Sequence, residues 1–126
     1  METLRNVVAG QPLLFVLGVM MAIDVVSGIC AAAIERKLSS KVSFAGMMRK
    51  THVALLVGMA AVLERVQPDV PLIKLVCTFF TLTEALSILE NAKRAGVPIP
   101  RVLSNAIDQM HTAALAREKK PDDGAR

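Results

Sequence analysis

Residues 12–34 read PLLFVLGVMMAIDVVSGICAAAI and decide the fold of this chain. The block has 23 residues and a single charged one, Asp24, before Glu35-Arg36-Lys37 ends it. An α-helix rises about 1.5 Å per residue, so a helix of this length crosses a hydrocarbon layer of about 30 Å with some tilt. The sequence therefore predicts a transmembrane helix over residues 12–34.

Two further apolar blocks follow, over residues 44–66 and 71–90. The block over residues 44–66 is long enough to span only if it includes Arg49 and Lys50, whose long side chains can snorkel to the headgroups. The turn between the blocks contains Pro68 and Pro71, and proline cannot continue a helix. The pattern predicts an all-α integral membrane protein with three transmembrane helices in a domain of residues 1–94.

The composition changes after residue 94. Gly96-Val97-Pro98-Ile99-Pro100 predicts a rigid turn, and residues 101–118 carry apolar side chains at steps of four, three and four. That stripe comprises Leu103, Ile107, Met110 and Ala114. We expect residues 95–126 to be cytoplasmic: the turn, then a short amphipathic helix on the membrane surface or against a partner, then a polar tail from residue 119.

Composition excludes several function classes. Hydrophobic residues make up 53% of the chain, and the net charge of +4 comes from cations that flank the apolar blocks. With no Trp, no Tyr and no basic patch interleaved with aromatics, we expect no nucleic-acid partner. The two cysteines and two histidines show no metal-ligand spacing, and no nucleophile lies beside a base. We expect no catalytic, cofactor or metal site.

Lysine and arginine in the connecting segments predict the orientation. Residues 35–50 contain five of them and residues after 90 contain seven, whereas the turn at Pro68 has none and the segment before residue 12 has one. Cytoplasmic loops carry the excess of these residues. The chain is therefore predicted to have its N-terminus outside and its C-terminus in the cytoplasm.

Asp24 is the polar residue of greatest interest in the first helix. An aspartate at the centre of a membrane helix costs about 2.5–3.5 kcal/mol, so it rarely faces lipid. It shares a helix face with Ser27, Gly28 and Ala31, and such small residues let another helix approach closely. Two interpretations stay open: Asp24 holds packed helices together, or it lines a pore and responds to protonation.

The third helix is amphipathic at membrane depth. Its apolar side, at steps of four and three, comprises Leu75, Phe79, Leu82, Leu86 and Leu89. Its polar side comprises Lys74, Thr78, Thr81, Glu84, Ser87 and Asn91. A polar half at this depth needs water or protein neighbours, which favours self-association into a homo-oligomer. Together with Asp24 and Ser27, these residues are the candidate pore-lining or inter-subunit polar set.

Small residues mark the candidate packing positions. They are Gly28 and Ala31 on the first helix, and Ala54 and Gly58 on the second. Small side chains four apart, or three apart, allow close approach of helices in lipid, where van der Waals fit is a main source of association.

Three sets of residues together resemble a known family. They are residues 84–91 (EALSILEN) followed by 96–100 (GVPIP), residues 24–28 (DVVSG), and Ser39-Ser40 with Gly46 and Arg49-Lys50 in the basic loop. Taken in their order along the chain, they resemble the phage holin family that also includes toxin-secretion holins. The resemblance covers roughly residues 20–103, and the chain departs from it at Glu64-Arg65, where an aspartate-containing segment is usual.

The resemblance implies a function. A holin accumulates in the cytoplasmic membrane, oligomerises, and at a set time opens lesions through which an endolysin, or in some relatives a toxin, passes. Its partners are membrane lipid, further copies of itself and the endolysin as cargo. From the residues alone two alternatives stay open: a small ion-coupled transporter or channel that uses Asp24 and Glu84, or a membrane anchor subunit whose last helix binds a soluble partner.

The orientation can be tested by thiol labelling in intact cells. We expect Asp69→Cys to react with a membrane-impermeant thiol reagent added outside, and Ser40→Cys to be protected, because the lysines and arginines flank residue 40. Labelling of residue 40 with protection of residue 69 would reverse the topology.

Overall fold

The structure, a computed structural model, describes residues 12–118. Its helices are α1 (Pro12–Ile34), α2 (Ser40–Val66), α3 (Leu72–Arg94) and α4 (Arg101–Glu118). The first three are long and apolar enough to cross a membrane, so the chain is an all-helical, multi-pass membrane protein. Compared with the predicted blocks, α2 begins four residues earlier and α3 ends four residues later. The predicted polar tail from residue 119 lies outside the described residues.

Two of the helices end in the same hydrogen-bonded turn. After α1, Arg36 N–H donates to Ala33 O and Lys37 N–H to Ala32 O; after α3, Gly96 N–H donates to Lys93 O and Val97 N–H to Ala92 O. This Schellman arrangement needs a residue in the left-handed region. Gly96 (φ 80°) adopts it freely, whereas Arg36 (φ 54°) does so against the steric preference of an L side chain.

A carboxylate fixes the short turn between α2 and α3. Glu64, in the last turn of α2, accepts a 2.7 Å hydrogen bond from the backbone N–H of Ile73. The first N–H groups of a helix lack partners within the helix, and negative charge is favourable at that end. Glu64 therefore stabilises the start of α3 and brings it back alongside α2.

Helix α3 is the centre of the bundle, because α1 and α2 pack mainly against it rather than against each other. Its most buried residues include Cys77, Glu84 and Asn91, which lie seven apart and therefore on one face. The predicted apolar side takes part in packing, since Leu89 is buried and only Leu75 of its five residues is exposed. The second half of the side predicted to be polar packs as well, because α2 brings Lys50 to Glu84 and α1 brings Asp24 to Asn91.

Helix α4 folds back antiparallel along the first half of α3. The rings of Phe79 and His111 stack with centroids 6.1 Å apart, and Ala114 and Arg117 reach the start of α3 near Lys74. The contact face only partly matches the predicted stripe: Ile107 and Ala114 are half-buried as predicted, but Leu103 and Met110 are exposed and His111 is half-buried instead. The aromatic contact of His111 rotates the helix away from the face that hydrophobicity alone indicates.

The α3–α4 contact can be tested in membranes. In a Cys30→Ala/Cys77→Ala background, we expect Phe79→Cys and His111→Cys to be joined by a short bifunctional thiol reagent, because the native rings are in contact. Phe15→Cys, an exposed position on α1, paired with His111→Cys is the control. Equal crosslinking of both pairs, or none in the first, would show that α4 is not held against α3 in the bilayer.

Candidate functional site

One residue from each span meets in a charge cluster formed by Asp24, Lys50 and Glu84. Lys50 Nζ lies 2.7 Å from Asp24 Oδ2 and donates a hydrogen bond to Glu84 Oε2. Glu84 is buried, and the other two side chains keep only a small exposed fraction. The cluster thus connects α1, α2 and α3 through a single ammonium group.

Asn91 extends the charge cluster along α3. Its side-chain amide donates to Asp24 Oδ1 at 3.1 Å and to Ser27 Oγ at 3.0 Å. The Ser27 hydroxyl in turn donates to the backbone carbonyl of Asp24. Gly28 faces this amide, since a Cβ at residue 28 would lie in van der Waals contact with Asn91 Nδ2, at 3.4 Å.

The cluster lies within the membrane-spanning part of each helix. Asp24 is ten residues from the end of α1 and Glu84 ten from the end of α3, about 15 Å at the helical rise. Lys50 is seven residues from the start of its span, Ser43–Val66, or about 10 Å. All three groups are therefore at hydrocarbon depth, where an ionisable side chain faces another polar group or water.

The structure corrects the prediction for Lys50. The sequence predicts that Lys50 snorkels to the headgroups beside Arg49, but only Arg49 is exposed, and Lys50 turns inward. Contact with two carboxylates removes the cost of leaving both of them unpaired in hydrocarbon. A signal was present in the sequence, since Lys50 shares one side of α2 with Val53, Val57 and Glu64 at helical spacing.

The predicted polar set divides into two groups. Asp24, Ser27, Glu84 and Asn91 come together, with Ser87 on the wall of the adjacent cleft. Lys74 and Thr78 instead lie exposed in the first half of α3, near α4.

Thr81, also in the predicted polar set, lies between these two groups on α3. Its hydroxyl oxygen is buried and has no hydrogen-bond partner among the described residues.

The small residues also divide. Ala31 is fully buried in the contact between α1 and α3, and Gly28 packs against Asn91, so both act within the chain. Ala54 and Gly58 lie on the exposed side of α2, and a Cβ at residue 58 would meet nothing within 4 Å. The small residue that packs α2 within the chain is Ala60, which is buried and was not predicted.

A second ion pair lies at the basic end of the bundle, which is the end where α1 and α3 finish and α2 begins. Arg94 donates from Nε and Nη2 to the two oxygens of Glu35, at 3.2 and 2.8 Å, and from Nη1 to Asn91 Oδ1 at 3.3 Å. This two-pronged pairing lowers the pKa of the Glu35 carboxyl below its ordinary value. Arg94 thereby joins the end of α1 to the hydrogen bonds of the charge cluster.

The arrangement is suited to holding helices together by buried charge. Within residues 12–118, no group of three or more His, Cys, Asp and Glu side chains is placed to hold a metal ion. The chemistry that the described side chains of the cluster offer is ion pairing at hydrocarbon depth.

A family model described as the bacteriophage holin family matches residues 4–112. The chain belongs to the bacteriophage holin family. The matched range covers all three spans, the residues of the charge cluster and most of α4.

Curated relatives of this holin-family chain are uncharacterized proteins. One from Listeria monocytogenes is 34% identical over 100 residues, 79% of this chain and 71% of its own length. One from Halalkalibacterium halodurans is 30% identical over 101 residues, 75% of each chain. A Clostridium perfringens protein of 14.9 kDa, named for its place in the nagH 3′ region, is 28% identical over 78% of this chain and 76% of its own. No solved structure matches the chain.

The charges in the cluster predict that substitutions of its residues will lower stability to different extents. Lys50→Met leaves two carboxylates without a cation, whereas Glu84→Gln leaves one cation with one carboxylate. We expect Lys50→Met to lower the free energy of unfolding in detergent by about 3 kcal/mol, because breaking a buried pair strands a charge. Glu84→Gln, the matched control, should be much milder. Equal stability of the two variants in thermal unfolding would show that Lys50 does not neutralise the carboxylates.

Proposed function

We propose that this chain is a holin that oligomerises in the cytoplasmic membrane and opens lesions through which an endolysin, or in the manner of some relatives a toxin, leaves the cytoplasm. The observation that carries the proposal is membership of the bacteriophage holin family over most of a three-span chain. In this proposal the N-terminus is outside and the turn between α3 and α4 is in the cytoplasm, as the distribution of lysine and arginine indicates, while α4 returns along α3.

The monomer explains why such a protein has to act as an assembly. The two spans α1 and α2, packed against the third span α3, enclose a small polar cluster and no passage for a folded enzyme. A wide opening needs many copies, with polar groups toward water and apolar groups toward lipid or the next subunit. Because Glu84 and Asn91 have partners within their own chain, the exposed polar residues Lys74 and Thr78 are the better candidates for the inner wall.

Subunit contacts need a surface that permits close approach. The exposed face of α2 offers Ala54 and Gly58, four residues apart, with open space around Gly58. In lipid the hydrophobic effect contributes little between helices, so small residues that let backbones meet are a common basis for association. We place the homo-oligomer interface on this face of α2.

A direct test is lysis in a two-gene system. The chain is induced in bacteria that also make an endolysin without a signal sequence, with each gene alone as control. We expect an abrupt fall in culture turbidity only when both are present. If the chain reaches the membrane in quantity and the culture keeps growing, the holin proposal fails.

The charge cluster supports a second candidate, a small ion-coupled transporter or channel. Ionisable groups paired at hydrocarbon depth are typical of proton and ion pathways. The two functions can be distinguished in proteoliposomes that contain a folded enzyme. A transporter lets protons or Na⁺ cross but retains the enzyme, whereas a holin releases it.

The interface on α2 gives a prediction that separates assembly from folding. We expect Gly58→Leu to remove the crosslinked oligomer ladders seen in native membranes and to delay lysis at least severalfold, because the larger side chain separates the helices. Gly18→Leu, at an equally open position on α1, is the control and should leave the ladders intact. Gly28→Leu is unsuitable, since it would disturb Asn91 within the monomer. Unchanged oligomer ladders in Gly58→Leu would show that the interface does not lie on this face of α2.

A further inference from the structure

A cleft of about 320 Å³ separates α1 from α2 at the basic end of the bundle. It exists because both helices pack against α3 and leave a gap between themselves. Its size falls within the range of small-molecule sites in proteins. Asp24 and Ser87 lie at its deep end, and Lys37 and Arg49 belong to its lining near the α1–α2 connection.

The charges at this end of the cleft favour an anion. Lys37 and Arg49 are exposed, and neither forms an ion pair with any residue between 12 and 118. The negative groups nearby are already neutralised: Glu35 is held by Arg94 and Asp24 by Lys50. Two cations are therefore left to attract a negatively charged ligand: Lys37 follows the end of α1, and the long side chain of Arg49 can snorkel from α2 toward the same level.

Backbone and hydroxyl groups add hydrogen-bond donors. Helix α2 starts beside the cleft, and Ser39 makes no side-chain cap to its first turn. The first N–H groups of a helix lack partners within the helix and attract negative charge. The hydroxyls of Ser39 and Ser43 also line the cleft.

The remaining lining is apolar and open to lipid. Ile29, Leu38 and Met47 form walls of the cleft, and the first and last of these are among the exposed residues of their helices. A free phosphate ion would leave these walls uncovered, whereas a phospholipid would place its phosphate at the cations and its acyl chain along the apolar walls. The combination of a cationic end and an apolar slot matches an amphiphilic anion.

We propose that the α1–α2 cleft binds an anionic phospholipid, with its headgroup phosphate at Lys37 and Arg49 and an acyl chain between the two helices. The lipid fills the gap that the packing of α1 and α2 on α3 leaves open. It comes from the leaflet at the basic end of the bundle.

The test measures lipid binding to the full chain in detergent micelles by native mass spectrometry. Phosphatidylglycerol and phosphatidylcholine with identical acyl chains are titrated separately. We expect phosphatidylglycerol to bind at least tenfold more tightly, because each lysine or arginine near the headgroup favours an anionic lipid. Equal binding of the two lipids would overturn the proposal, as would displacement of phosphatidylglycerol by inorganic phosphate at the same concentration.

Two pairs of variants locate the site. Lys37→Gln/Arg49→Gln should weaken phosphatidylglycerol binding roughly tenfold or more, whereas Lys93→Gln/Arg101→Gln, exposed cations outside the cleft, should not. Gly46→Leu keeps every charge but projects into the open cleft, so it should also expel the lipid, and Gly18→Leu is its control.

Equal loss of phosphatidylglycerol binding in the two double variants, or retention of the lipid by Gly46→Leu, would overturn the assignment. Because the measurement uses no lysis readout, its outcome is independent of the holin proposal.

Discussion

A charged side chain in hydrocarbon has to meet a partner, and this constraint organises the bundle around Lys50. Asp24, Lys50 and Glu84 come from three different spans, so their pairing fixes which faces of α1, α2 and α3 meet. The cost of each unpaired group is a few kcal/mol on insertion scales. Hydrogen bonds from Asn91 to Asp24 and Ser27 then extend the same contact along α3.

The inward pairing decides what the molecule leaves on its surface. With Glu84 and Asn91 turned inward, α3 presents Lys74 and Thr78 outward, and α2 presents Ala54 and Gly58. Because α1 and α2 both pack on α3, the gap between them remains as the cleft lined by Lys37 and Arg49. The proposed assembly surface and the proposed lipid site are thus two results of one packing arrangement.

Much of this could be predicted from the sequence, because the spans depend on local composition. The apolar run of residues 12–34 and the prolines at 68 and 71 are sufficient to predict the first helix and the turn before the third. The grouping of Asp24 with Ser27 and Gly28 also came from helical spacing alone. The inward turn of Lys50 could not be predicted in this way, since it depends on the register of α2 against α1 and α3. The rotation of α4 toward His111 depends likewise on the neighbouring Phe79, 32 residues away in sequence.

The most direct measurement of this account is a charge exchange between α2 and α3. Lys50→Glu alone puts three carboxylates together, and Glu84→Lys alone puts two ammonium groups beside Asp24, so each should reduce folded protein in the membrane. The double variant Lys50→Glu/Glu84→Lys again has one cation between two carboxylates. If pairing across the spans holds the bundle together, the double variant should have a midpoint temperature of unfolding in detergent well above those of both single variants. A double variant no more stable than the worse single variant would contradict the account.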